Sequence, residues 1–270
     1  MPPSEGAASG LEARLQALLG RIARDPSRPT LDELAAIDEF HTRGREATAE
    51  LLARLDPPPG SLVLDAGCGL GGPARLLAAE RGCIVVGVDL DPGNVALARR
   101  LTLATGLGDR VRLAVADVSA LPFPGGTFDH AISQHVAMSV AGKPALYREL
   151  RRVLRRGGRL GIYDLAAGPG GPPLLPAPWA SDEAGSHLEA VETTRAFLAE
   201  AGFALLDEGV DAAAARAWAG RLLQRLERDS AAPPLLGLLF PGRAGEIARN
   251  LSRNLIEGRT VPFQLVAEVR

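Results

Sequence analysis

The residues best equipped for chemistry lie in one stretch, Ser61 to Asp91, which reads SLVLDAGCGLGGPARLLAAERGCIVVGVDLD. Asp65 stands just before a loop carrying Gly67, Gly69, Gly71 and Gly72, and Asp89 closes the apolar run that follows. So many glycines let backbone approach a bound molecule closely. Gly67, Gly69 and Gly72 satisfy the G-x-G-x-x-G spacing of a dinucleotide site, a weak signal by itself. Asp65 favours a different ligand. A pyrophosphate at the loop would lie a few ångströms from its carboxylate, costing several kcal/mol at an effective dielectric of about 20. A cation without phosphate avoids that penalty. S-adenosylmethionine fits, with ammonium and sulfonium toward Asp65 and the loop and ribose hydroxyls toward Asp89. The plain alternative is that Asp65 only caps the turn after it.

The elements that must position these groups follow from the pattern. Leu62 to Leu64 reads as a strand, Pro73 opens a helix that Gly82 closes, and Ile84 to Val88 is the next strand. That is the first crossover unit of a nucleotide-binding α/β fold. Asn94 to Thr105 reads as a helix and Val111 to Val115 as a third strand, with Asp117 and Val118 just beyond it. Carboxyl ends of adjacent strands in such a sheet meet in one crevice, so Asp65, Asp89 and Asp117 should line a single cleft. There Asp117 could accept an adenine amino hydrogen while Leu90 and Val118 sandwich the ring. His130 to Ser133 forms the fourth strand, leaving Gln134 and His135 at its end. A helix bearing Leu146, Leu150, Val153 and Leu154 runs to Gly157 and Gly158, and Arg159 to Asp164 is the fifth strand.

Before the first strand, Leu11 to Ala23 and Arg45 to Leu55 read as helices, and Thr30 can cap a further one starting at Leu31. The polar break from Asp38 to Gly44 places His41 either as a contact to substrate or cofactor under a lid, or as a residue bonded within its own turn. Residues 1–10 read as a disordered lead-in, 11–59 as a helical lid and 60–270 as the main domain. Within the latter, 166–190 is a Pro- and Gly-rich substrate loop in which Trp179 either stacks on ligand or pins the loop. Residues 209–258 form a helical insertion, with helices at Ala212 to Arg228 and Ala244 to Leu255 separated by a Pro-rich turn. Phe203 to Leu206 and Val261 to Val269 close the sheet as an antiparallel pair.

The segments VLDAGCGLGG, GVDLD, LPFPGGTFDHAISQHV and YRELRRVLRRGGRLGIYD together resemble successive motifs of class I S-adenosylmethionine-dependent methyltransferases acting on small molecules. The D-E-F-H-x-x-G and S-Q-H-V-A-M segments are similar to the group containing sarcosine and dimethylglycine N-methyltransferases and natural-product methyltransferases. The resemblance implies an α/β doubly wound sheet of seven strands, mostly parallel with one antiparallel strand, N-terminal helices and a helical cap. It implies cofactor contacts at Asp65, Gly67, Gly69, Asp89, Asp117 and Gln134, to which the loop residues Cys68 and Gly71 are added. The chain departs from the betaine-forming members at His135, where their pattern has an acid after the glutamine.

Totals narrow the function. Lys and Arg number 30 against 32 Asp and Glu, a net charge of -2, so no global basic field invites nucleic acid. Cys68 and Cys83 are too few for a disulfide framework or a zinc site and suit a reducing cytoplasm. The first ten residues carry no basic and apolar leader pattern, and no run of 18 apolar residues suggests a membrane span. The expected reaction is in-line methyl transfer to N, O or C of a small acceptor, with His135 either the base for a hydroxyl or a packing residue of the cofactor shell. A nicotinamide-dependent oxidoreductase and a cofactor-binding interaction protein are the rival readings. Neither the acceptor nor the oligomeric state is written in the sequence.

Overall fold

The computed structural model describes residues 5–39, 41–209, 212–229 and 232–270. Its centre is one seven-stranded sheet with strands in the order β3-β2-β1-β4-β5-β7-β6. These strands are β1 (Leu62–Ala66), β2 (Ile84–Asp89), β3 (Val111–Val115), β4 (Phe128–Gln134), β5 (Leu154–Ala167), β6 (Phe203–Gly209) and β7 (Thr260–Val269). β7 alone runs against its neighbours, pairing antiparallel with both β5 and β6. The order reverses between β1 and β4, which leaves a crevice beyond their carboxyl ends where such sheets bind ligands.

Helices cover both faces, as a mostly parallel sheet requires. They are α1 (Glu5–Ile22), α2 (Leu31–Asp38), α3 (Arg45–Leu55), α4 (Gly72–Glu80), α5 (Pro92–Ala104), α6 (Lys143–Val153), α7 (Val191–Ala201), α8 (Ala212–Asp229), α9 (Pro234–Leu239) and α10 (Ala244–Ile256). One core joins β1, β4 and β5 to Leu146, Tyr147 and Leu150 of α6, and the other joins β1 and β2 to Leu51 of α3 and Leu77 of α4. Thr30 caps α2 in a full capping box with Glu33, which fixes where that helix begins. No described helix is long and apolar enough to cross a membrane.

Three boundaries differ from expectation. The lead-in over residues 1–10 falls partly outside the described residues, and from Glu5 onward it is already helical. The helix expected to reach Gly157 stops at Val153, because Leu154 pairs with Phe128 and joins β5. The Pro-rich turn of the insertion contains α9, with Pro234 in its first turn, where the missing N–H has no intrahelical acceptor to lose. Two arginines of α6 are engaged with their surroundings: Arg151 donates to the Arg270 carbonyl, and Arg152 holds Glu149 and the carbonyls of Leu121 and Phe123.

Candidate active site

β1 delivers Asp65 to the lip of the crevice, and the chain then turns in the left-handed region at Gly67, with φ of 80°. A Cβ on Gly67 would sit 2.2 Å from Val136 Cγ2, so only glycine allows the loop to lie against the end of β4. The N–H groups of Gly67 and Cys68 both donate to the Val88 carbonyl at 2.8 Å, and that of Gly69 donates to Asp89 Oδ2 at 2.9 Å. The carboxylate after β2 therefore braces the loop after β1.

A cleft of about 650 Å³ opens over these strand ends. Asp65, Gly67, Cys68 and Gly69 border it from β1, Asp89 and Leu90 from β2, Asp117 and Val118 from β3, and Gln134 and His135 from β4. His41 borders it from above, together with Ile37 and Asp38 at the end of α2 and Leu235 and Leu239 of α9. Gly71, counted among the cofactor contacts from sequence, does not border this cleft. It is the left-handed N-cap of α4, and a Cβ there would approach the Arg75 guanidinium to 3.0 Å.

Asp65 is 2 % exposed, and burial, with the nearby charge of Asp89, pushes its carboxyl up to about 7. The Ala74 N–H and Arg75 pull in the opposite direction. Asp65 Oδ2 is buried without a hydrogen-bond partner, as are Gln134 Nε2 and His135 Nε2. Orphaned polar atoms of this kind are rare unless something else satisfies them. An unpaired carboxylate oxygen beside a glycine loop fits a ligand carrying a cationic ammonium. Burial raises the Cys68 thiol far above its ordinary value, which leaves it unreactive.

A second cavity of about 180 Å³ shares His41, His135, Ser139, Leu235 and Leu239 with the cleft, so the two adjoin. Its remaining wall includes Thr42, Met138, Leu165, Pro178, Trp179, Phe240 and Leu251. Trp179 thus lies here rather than in the larger cleft. Its indole N–H donates to Ser186 Oγ at 3.0 Å and its carbonyl accepts from Ser139 at 3.3 Å, so it also pins the loop.

His135 stands at this junction with φ of 56°, a left-handed conformation uncommon outside glycine, and its N–H donates to the Tyr163 carbonyl at 2.7 Å. Its ring stacks on His41 at 5.6 Å and meets Tyr163 edge-on at 4.9 Å. His41 Nε2 lies 2.9 Å from Thr48 Oγ1, which donates to Gln134 Oε1 at 3.3 Å, while the Tyr163 hydroxyl donates to the Thr42 carbonyl at 2.6 Å. Burial lowers both histidines, His41 to about 4, so both rings are neutral near pH 7.

Sequence reasoning missed the buried pair that fastens α2 to the glycine loop. Arg75, fully buried, donates to Asp38 Oδ2 at 2.5 Å, the Leu70 carbonyl at 2.8 Å, Thr102 Oγ1 at 3.1 Å and the Ala98 carbonyl at 3.3 Å. Gly72 belongs to the same contact, since a Cβ there would lie 2.4 Å from the Asp38 carbonyl oxygen. The interrupted helix end at Asp38 was the available signal.

Residues 64–162 match the family described as "Methyltransferase domain". That match runs from β1 into β5, and the sheet order is that of the class I methyltransferase fold. The methyltransferase GfsG of Streptomyces halstedii is 37% identical over 131 residues, 48% of this chain and 47% of that protein. A phosphoethanolamine N-methyltransferase of Triticum aestivum is 37% identical over 162 residues, 60% of this chain and 32% of that protein. The chain therefore spans less than half the length of these curated relatives. Among solved structures, the [4+2]-cyclase SpnF superposes with a TM-score of 0.71 at 22% identity, covering 99% of this chain and 97% of that one. A geranyl diphosphate methyltransferase in complex with SAM superposes at 0.69 and 23% identity, covering 94% of each. At such identities the likeness establishes the fold, and function must be argued from the site.

Proposed function

We propose that the methyltransferase domain transfers a methyl group from S-adenosylmethionine to a small-molecule acceptor. The observation that carries this reading is the buried, unpartnered Oδ2 of Asp65 on the glycine loop. Asp65 would hold the amino-acid ammonium, Asp89 the ribose hydroxyls, and Asp117 with Leu90 and Val118 the adenine. Gly67, Cys68 and Gly69 would supply the close backbone wall, and Gln134 Nε2 a donor. Gly71 would act only by starting α4. The bound cofactor supplies an already activated methyl group on a sulfonium.

The chain's own residues then align the acceptor and exclude water, and alignment can contribute on the order of 7 to 11 kcal/mol. His135, neutral and with a free Nε2, would take a proton from a hydroxyl acceptor. His41 and Trp179 would be substrate contacts. Segment 11–59 and α9 would close over the cleft as a lid, with 166–190 as the substrate loop and 209–258 as the cap. The free cysteines Cys68 and Cys83 support a cytoplasmic protein.

Calorimetry with S-adenosylhomocysteine tests the reading. Micromolar binding is expected, weakened roughly 10- to 100-fold in Asp65→Asn, the size of a lost hydrogen bond to a charged group. Absence of heat from the product, combined with saturable binding of NADH followed by its fluorescence, would favour the oxidoreductase instead.

A further inference from the structure

The smaller cavity carries information about the acceptor that the larger cleft does not. Among the described residues its wall contains no Asp, Glu, Lys or Arg; Met138, Leu165, Trp179, Phe240 and Leu251 make most of it hydrocarbon. The polar groups are neutral: Thr42, Ser139 and the two histidines. The larger cleft beside it is bordered by Asp65, Asp89 and Asp117, and by Asp38, whose carboxylate is taken up by Arg75; among the described residues no Lys or Arg borders it. An anionic acceptor would be desolvated here without a cation to meet it. A cationic one would find no carboxylate on the wall of its own cavity. Either charge would be costly to bury unpaired.

Size and one polar atom narrow the choice further. An apolar cavity of about 150 Å³ holds a benzene ring, so about 180 Å³ holds a ring or a branched chain of similar bulk. At the boundary between the two cavities, His135 Nε2 is buried without a partner. With the ring proton on Nδ1, a neutral imidazole Nε2 in that position accepts a hydroxyl hydrogen.

We propose that the acceptor is an uncharged, largely hydrocarbon molecule, seated in the smaller cavity with a hydroxyl directed at His135. Phosphate-, carboxylate- and ammonium-bearing acceptors are excluded by the same wall. The inference rests on the methyl-transfer reading and specifies its second substrate. In the reaction, His135 Nε2 takes the hydroxyl proton and the freed oxygen pair forms the new O–C bond. The S–C bond breaks as this happens, its electron pair staying on sulfur, and His135 later returns the proton to solvent.

A matched series of phenols tests the assignment by calorimetry on protein first loaded with S-adenosylhomocysteine. 4-Propylphenol is expected to bind at least about tenfold more tightly than its carboxylate counterpart 4-hydroxyphenylacetate, its ammonium counterpart tyramine, or its phosphate counterpart 4-hydroxyphenyl phosphate. Leu251→Phe, which fills the cavity, should abolish 4-propylphenol binding while leaving the affinity for S-adenosylhomocysteine unchanged. Should that variant fail to fold, Phe240→Ala should weaken the same probe with the same control. A charged member binding as well as 4-propylphenol, no binding of any phenol, or indifference to both variants overturns the proposal while S-adenosylhomocysteine still binds. Loss of S-adenosylhomocysteine binding by the unaltered protein would instead overturn the methyl-transfer reading beneath it.

Discussion

Asp65 combines two properties that ordinarily conflict: it is almost fully buried, and it is the group proposed to meet a cation. Burial and Asp89 hold its carboxyl near 7 in the free protein, against an ordinary value of 3.8. The folded value is raised, so Asp65 stabilises the free protein most below pH 3.8, and that contribution is lost as pH rises through about 7. A cationic ligand reverses this balance by favouring the carboxylate. Binding near pH 6.5 should therefore release a proton, seen as a dependence of the binding heat on the buffer's ionisation enthalpy. Affinity should rise with pH up to about 7 and then level off, and Asp65→Asn should abolish the Asp65 share of the released proton. Equal release by the variant and the parent would remove Asp65 from the ligand's ammonium. The histidines have the opposite sign. Burial lowers His41 from 6.5 to about 4, so folding excludes a proton that the unfolded chain binds in that window. Relative to His41→Gln, the parent should lose stability at roughly 1.4 kcal/mol per pH unit as pH falls through it, measured by urea unfolding.

At the scale of elements, the junction between α2 and the glycine loop depends on Arg75, whose guanidinium reaches Asp38, Leu70, Ala98 and Thr102. Replacing it with Leu leaves a buried carboxyl and two carbonyls without their donor. The expected loss is about 3–5 kcal/mol in denaturant unfolding, and a loss below about 1 would show that the site relaxes around the gap. Gly72→Ala should cost about 1–3 kcal/mol by forcing α2 away from the start of α4. This junction also shows where sequence reading stops. The strand, glycine loop and acid around Asp65 were legible because each signal is local: an apolar run, residues able to take positive φ, and a carboxylate at the strand end. Arg75 was not, because an arginine within a helical pattern resembles any solvated one until the fold brings Asp38 against it. α9 was hidden for a related reason, since Pro233, Pro234 and Gly237 mark a turn by composition. Its leucines become a helix by packing on α1, α2 and α10. The cleft residues at the strand ends followed from topology, whereas the second cavity depended on side chains from six separate segments.

At the scale of the whole molecule, the N-terminal helices and the helical insertion meet over the cleft. Leu235 and Leu238 of α9 pack with Leu15 and Leu19 of α1, Leu34 and Ile37 of α2, and Leu70 of the glycine loop. Leu236, one face round the helix, packs instead with Leu222 and Leu226 of α8 and Ile247 of α10. α9 thereby joins the N-terminal helices to the insertion through apolar clusters separate from the two sheet cores. Such a cover can open without unfolding the sheet, because its stability is local. Leu235→Ala should remove about 2–3 kcal/mol from that cluster, at the low end for a short helix able to settle into the gap. Hydrogen exchange should then quicken across Pro234–Phe240 while β1, β4 and β5 keep their protection. S-adenosylhomocysteine at a hundredfold excess over its Kd should add about 2.7 kcal/mol to the parent, raising Tm by roughly 5–10 °C. At the same concentration the variant should gain less, because part of the binding energy is used to close the cover again. If exchange quickens equally in the sheet strands, α9 belongs to the global folding unit and does not act as a separate cover.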